Sequence, residues 1–79
     1  MTDNEIIERL NGIFIKVLKD NSIKLSETTS AADIEQWDSL THPVLIDAVE
    51  KEFNVKFKLK EHIKMKNIGD LIKILKEKL

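Results

Sequence analysis

Ile6, Ile7, Leu10, Ile13, Phe14, Val17 and Leu18 recur at spacings of three, four and seven residues, the period of a helix with one dry side. A strand cannot use this pattern, because alternate strand residues face opposite ways. Ahead of the stripe, Thr2-Asp3-Asn4-Glu5 has the S/T-x-x-E form of a capping box. Behind it, Asp20-Asn21-Ser22 breaks the period. The spacing predicts a first helix of about four and a half turns, with Glu5 and Arg9 placed to pair one turn apart on its wet side.

What such a helix packs against is limited by what else the chain contains. In 79 residues there is no cysteine, so neither a disulfide framework nor a thiolate zinc site can supplement the core. Two glycines and one proline are too few for the many tight turns of a small β-barrel. A helical bundle is the economical arrangement at this length, and residues 1–79 read as one domain. No apolar run approaches a membrane span, and "MTDNEIIERL" is acidic and polar where a secretory signal is basic and then apolar. The expectation is a cytoplasmic monomer.

Residues 21–38, "NSIKLSETTSAADIEQWD", have no sustained period. Loops of this length are usually functional or partly helical, and Ile23, Leu25, Ile34 and Trp37 are spaced as anchors across a bundle. In the next segment Leu45, Ile46, Val49 and Phe53 share a side, Ala48 lies at its margin, and Asp47 precedes Lys51 by one turn. Asn54 marks that helix's end. In "VKFKLKEHIKMK", Val55, Phe57 and Leu59 alternate with Lys56, Lys58 and Lys60, a strand-like period of two. With no second strand to pair with, the segment reads as an extended connector leading into a short helix near Lys60–Met65. Asn67 then caps a last helix with Asp70 in its first turn, a stripe of Ile68, Leu71, Ile72, Leu75 and Leu79, and Lys73, Lys76 and Lys78 near its negative end. The expected core comprises Phe14, Val17, Leu45, Ile46, Val49, Phe53, Ile68, Leu71 and Leu75.

Chemistry concentrates on Ser39, in "EQWDSLTHPVLIDAVEKEF". Three readings of this serine stand open from the residues alone. It can cap the free N–H groups of the helix behind it. It can act as a nucleophile with His42 as base, oriented by Asp38 or Asp47. Against that, no glycine-rich turn exposes it as a nucleophile elbow would, and so small a helical chain has little room for an oxyanion hole and substrate pocket. Or the serine can be a point of attachment. Metal and phosphate-loop motifs are absent: His42 and His62 lie far apart, with no HExxH or EF-hand spacing.

The third reading gains support from a family resemblance. "WDSLTHPVLIDAVEKEF" resembles the modification-site helix of acyl carrier proteins, with its D-S-L triplet, apolar-patterned helix and closing E-x-E-F. The resemblance continues without gaps through "VKF" and "KMKNIGDLIKIL", which match that family's short third helix and the start and stripe of its last one. It implies an all-α four-helix bundle in which Ser39 carries a 4′-phosphopantetheine arm. A separate phosphopantetheinyl transferase would install the arm from coenzyme A with Mg²⁺. The chain would then be no enzyme. It would hold an acyl or aminoacyl group as a thioester, receive it from a loading ligase, and present it to downstream transferases or synthases. "WDSLTH" in particular is similar to small discrete carriers of specialised pathways.

The chain departs from the family pattern in places. Leu40 and Val44 project off the core stripe, beside Asp47 and Lys51. Family positions commonly held by carboxylates, which meet basic patches on partner enzymes, include Thr41 and Val44 here, whereas Asp47 and Glu50 remain acidic. Asp38 and Leu40 are therefore candidates for transferase recognition, and Val44, Asp47 and Lys51 for partner docking. His42 falls near the core stripe, as a rim residue or at the mouth of a cleft sheltering the cargo. Pro43 removes the donor that the Ser39 carbonyl would need, so the second helix is expected to begin at Thr41 or His42 with Pro43 in its first turn.

Charge is divided along the chain. Residues 1–50 carry four Lys/Arg against ten Asp/Glu, and residues 51–79 carry nine Lys against four, within a net charge of −1. Such a division can steer a partner that reads one half. Nucleic-acid binding through the later lysines is disfavoured by the acidic half and by the lack of an interleaved aromatic or Arg reading surface. The principal rival to the carrier is a helical interaction module in which Ser39 is only a cap.

Overall fold

A computed structural model describes all 79 residues as four α-helices and no strand. Helix α1 spans Asp3–Leu18, α2 His42–Phe53, α3 Leu59–Lys64 and α4 Ile68–Lys78, with a 3-10 turn at Ala31–Asp33 inside the long first connection. The four-helix expectation holds, including the displaced start of α2. Helix α3 lies one residue earlier than the sequence suggested.

Local chemistry fixes the ends. The Thr2 hydroxyl accepts from the Glu5 amide and the Glu5 carboxylate accepts from the Thr2 amide, a complete capping box. Lys19 and Asn54 terminate α1 and α2 in the left-handed region, at φ 56° and 54°. The Asn67 side chain accepts from the Asp70 amide at 2.9 Å and starts α4.

The core is one cluster. Helix α1 contributes Ile6, Leu10 and Phe14; α2 Leu45, Ile46, Val49 and Phe53; α4 Ile68, Leu71, Ile72 and Leu75. Ile23, Leu25 and Trp37 of the long connection insert among them, and Ile34 packs against the cluster half-buried. Each fully buried aliphatic or aromatic side chain stabilises the fold by roughly 1.5–3 kcal/mol. Val17, expected in the core, is only partly buried at its margin. Leu79, expected on the α4 stripe, is 55 % exposed, and Ile74 is buried in addition to that stripe. Leu79 lies at the C-cap, past the end of α4, whereas Ile74 follows Leu71 by three on the dry side.

The long connection is bolted down by polar contacts. The Asn11 side chain on α1 donates to the Ile23 carbonyl at 3.1 Å and accepts from the Leu25 amide at 2.7 Å. Further on, the carbonyls of Thr29 and Glu27 accept from the amides of Ile68 and Gly69, both at 2.8 Å. These are N–H groups that the start of α4 would otherwise leave unsatisfied. A Cβ at Gly69 would meet the Glu27 carbonyl at 3.0 Å, so a larger residue would push against the backbone that docks here.

Arg9 does not pair with Glu5, whose carboxylate is engaged in the α1 cap. It reaches Glu52 on α2 at 3.3 Å. Helix α3 places no residue in the core; Leu59 and Ile63 project into solvent at 77 % and 73 % exposure. The Glu61 carboxylate accepts from the Lys58 amide at 2.7 Å and bridges to Lys78 of α4 at 2.9 Å, fastening the short helix to the bundle.

Candidate functional site

Ser39 lies on an exposed turn between Trp37 and the start of α2. Helical structure begins late because Pro43, at N2 of α2, has no N–H for the Ser39 carbonyl. The free amides of this turn are taken by Asp38. Its Oδ1 accepts from the amides of Leu40 and Thr41, both at 2.9 Å. Thr41 returns the contact, its hydroxyl accepting from the Asp38 amide at 2.9 Å and donating to the Gln36 carbonyl at 2.7 Å. The Asp38 carbonyl in turn accepts from the His42 amide at 2.9 Å. These hydrogen bonds, first to the Thr41 amide and then to that of Leu40, hold the Asp38 carboxyl below its ordinary range, so it remains an anion.

The side chain of Ser39 takes no part in this network. It caps nothing: the amides of the turn ahead of α2 are held by Asp38, and the N-cap of α2 itself, Thr41, makes no side-chain cap bond. Nor is Ser39 hydrogen-bonded to His42. The Nδ1 atom of His42 accepts instead from the Trp37 indole N–H at 3.0 Å, with the two ring planes 10° apart. Because indole nitrogen only donates, that Nδ1 is unprotonated. Burial, and then the neighbouring His62, lower the His42 pKa below its usual 6.5. The Ser39–His42 dyad that the spacing allowed is not assembled.

Leu40, next to the serine, is 82 % exposed, and Val44 one turn on is 53 % exposed. Asp47 bridges to Lys51 at 3.1 Å, as their spacing suggests. Val44 and Lys51 line a shallow groove against Ile13 and Val17 of α1. The other α2 carboxylates are also engaged: Glu50 accepts from the Phe57 amide at 2.8 Å, and Glu52 holds Arg9. Helix α2 thus projects apolar groups while each of its acids has a partner within the chain.

Trp37, which sequence reasoning placed only as an anchor, also reaches the turn that carries Ser39 through its bond to His42. It is buried, and packs edge-on against Phe14 with ring centroids 5.0 Å apart. Its bond to His42 has no periodic signature; the sole hint was the presence of both residues on either side of Ser39. His42 also meets His62 of α3, with ring centroids 6.2 Å apart, and His62 meets Phe57 at 6.1 Å. No group of three or more metal-ligating side chains is close enough to hold a metal ion. No helix is long and apolar enough to cross a membrane.

No family model matches the chain. Individual proteins do. It is 32 % identical over 78 residues to an acyl carrier protein of Phenylobacterium zucineum strain HLK1, covering 96 % of each chain. The solution structure of a holo acyl carrier protein from Geobacter metallireducens superposes with a TM-score of 0.86 at 44 % identity, over 91 % of this chain and 83 % of that one. A likeness that runs through sequence and fold alike, along almost the full length, leaves one assignment: the chain belongs to the acyl carrier protein family, whose members are carriers and not enzymes.

Proposed function

We propose that Ser39 is the attachment point of a 4′-phosphopantetheine arm and that residues 1–79 act as one carrier domain presenting an acyl or aminoacyl thioester to partner enzymes. The observation that carries this reading is the state of the Ser39 side chain. It is exposed, projects from a turn whose amides are capped by Asp38, and is committed to no other bond. A serine needed only as a cap would be hydrogen-bonded to the amides that Asp38 holds.

The residues present fit the group. In attachment, Ser39 Oγ would bond to the phosphorus that carries pantetheine in coenzyme A. The bond from that phosphorus to the adenosine bisphosphate would break, and the serine proton would go to a base of the phosphopantetheinyl transferase. The chain needs no base of its own, consistent with His42 facing Trp37. The arm, once bound, supplies a thiol that takes the cargo as a thioester. Asp38 contributes by fixing the turn and keeping a negative charge beside the serine, and Leu40 gives the transferase an apolar contact.

Partners in acyl transfer and synthesis would meet α2 chiefly through Leu40 and Val44. The Asp47–Lys51 bridge compensates its own charge, so docking on this face would be only weakly dependent on salt. His42 sits at the rim between α2 and α3, where an arm or cargo folding back would pass. The setting is a cytoplasmic biosynthetic route with a loading ligase ahead of the carrier.

The test is to treat the chain with coenzyme A, Mg²⁺ and a broad-specificity transferase, then fragment the product. The adduct is expected on the peptide containing Ser39 and on that side chain. An adduct on Ser22, Ser26 or Ser30 instead would contradict the assignment.

A further inference from the structure

We infer that the Trp37 Nε1–His42 Nδ1 hydrogen bond is a clasp across the Ser39 turn, and that His42 is thereby a positioning residue for whatever enzyme modifies that serine. The inference rests on the carrier reading of Ser39 above.

The geometry has three parts. The clasp closes a ring that begins at Trp37, passes through Asp38, Ser39, Leu40 and Thr41, and ends at His42, joined at 3.0 Å. One end is fixed: Trp37 is buried and edge-packed on Phe14 of α1. The other end is the first residue of α2. Ser39 itself holds nothing, so its direction is set by the frame around it, namely the Asp38–Thr41 hydrogen bonds and the Asp38 carbonyl–His42 amide bond inside the ring, and the clasp that closes it.

The clasp depends on one lone pair. An imidazole protonated on both nitrogens has no acceptor to offer the indole N–H. Protonation of His42 therefore turns an attractive contact into two facing N–H groups and opens the ring. The groups around His42 make that proton unwelcome. From α3 the His62 ring faces it, and Glu61, next to His62 in the chain, is paired with Lys78 of α4 at 2.9 Å. On the loop side, the Asp38 carboxylate is turned to the Leu40 and Thr41 amides, and α1 meets Trp37 through the uncharged Phe14 ring. Below the titration of His42 the Ser39 turn loses its one side-chain tie to the buried Trp37 and is held by the hydrogen bonds of Asp38 and Thr41 alone.

Two substitutions separate this role from simple packing. His42→Asn places a carboxamide oxygen near where Nδ1 stood, an acceptor that does not titrate. Trp37→Phe keeps an aromatic ring for Phe14 but deletes the donor. The rate of phosphopantetheine transfer from coenzyme A by one broad-specificity transferase is measured on the parent and both variants from pH 5.5 to 8. Each rate is divided by that of His42→Asn at the same pH, which cancels the transferase's own pH dependence. Folding at each pH is checked by circular dichroism, and the indole N–H resonance of Trp37 is followed by NMR.

The expected result is a parent ratio near one at pH 8 that falls several-fold as His42 titrates, with the indole resonance moving over the same range. Trp37→Phe is expected to be slower at every pH, through KM more than kcat, with no such titration. A parent ratio that stays constant while the indole resonance ignores His42 overturns the clasp alone. Absence of transfer to all three folded chains overturns the attachment reading, and this role for His42 with it.

Discussion

Asp38 and Thr41 cap one another across Ser39: the carboxylate accepts from the Thr41 amide and the Thr41 hydroxyl accepts from the Asp38 amide, each at 2.9 Å. The serine between them is released from structural duty. Ser39→Ala is therefore expected to change unfolding free energy by less than about 0.5 kcal/mol, whereas Asp38→Ala, which frees the Leu40 and Thr41 amides, should be the more destabilising of the two. Urea denaturation of the two variants checks this. If Ser39→Ala were the more damaging, the serine would be a cap after all.

The two glycines should respond to alanine with opposite signs. Gly12 is an exposed position inside α1, and an added Cβ meets nothing within 4 Å. Gly12→Ala is expected to stabilise by about 0.5–1 kcal/mol from helix propensity. At Gly69 the same change drives a Cβ to 3.0 Å from the Glu27 carbonyl, against the hydrogen bond that docks the long connection on α4. A net loss is expected there, and thermal unfolding of the pair reads both signs.

Asn11→Leu would leave the Leu25 amide and the Ile23 carbonyl without their α1 partner. A part-buried pair stranded in this way is expected to cost about 1–3 kcal/mol. The measurement is a denaturant midpoint combined with amide exchange at Leu25. Exchange at Leu25 as slow as in the parent would show that the clamp is not needed.

Much of this architecture is legible in the sequence, for a physical reason. The caps at Thr2 and Asn67, the late start at Pro43 and the stops after Leu18 and Phe53 depend on near neighbours, so local patterns reveal them. The Asn11 clamp, the docking of Thr29 and Glu27 on α4, and the choice of Glu52 over Glu5 by Arg9 depend on which segments the fold brings together. Nothing local encodes those. At the site, the exposure of Val44 and the Asp47–Lys51 pair follow from helix periodicity, whereas Ser39 and Leu40 are exposed on the turn ahead of the helix. That Asp38 holds the amides of the turn and that His42 answers to Trp37 follow only from the turn's three-dimensional path.

The pH dependence of stability should show two stages. Glu5, Asp20 and Asp38 all lie below their ordinary carboxylate values, led by hydrogen bonds from the Thr2 amide, the Ser22 hydroxyl and the Thr41 amide respectively. Their contribution is complete above the unfolded-state values and is lost as pH falls through the lowered folded ones. His42 is also lowered, mainly by burial. Below about pH 6.5 the unfolded chain binds that proton first, so stability declines until the folded ring titrates as well. A melting temperature that is flat above neutrality, shows a shoulder in mildly acidic buffer and drops steeply in acid is expected. His42→Asn should remove the shoulder only.

The most direct test of the central claim is the intact mass of the chain after incubation with coenzyme A, Mg²⁺ and a broad-specificity phosphopantetheinyl transferase, with folded Ser39→Ala in parallel. A gain of one phosphopantetheine by the parent and none by the variant is the expected result. No gain by the folded parent with several transferases, or an equal gain by Ser39→Ala, would contradict it.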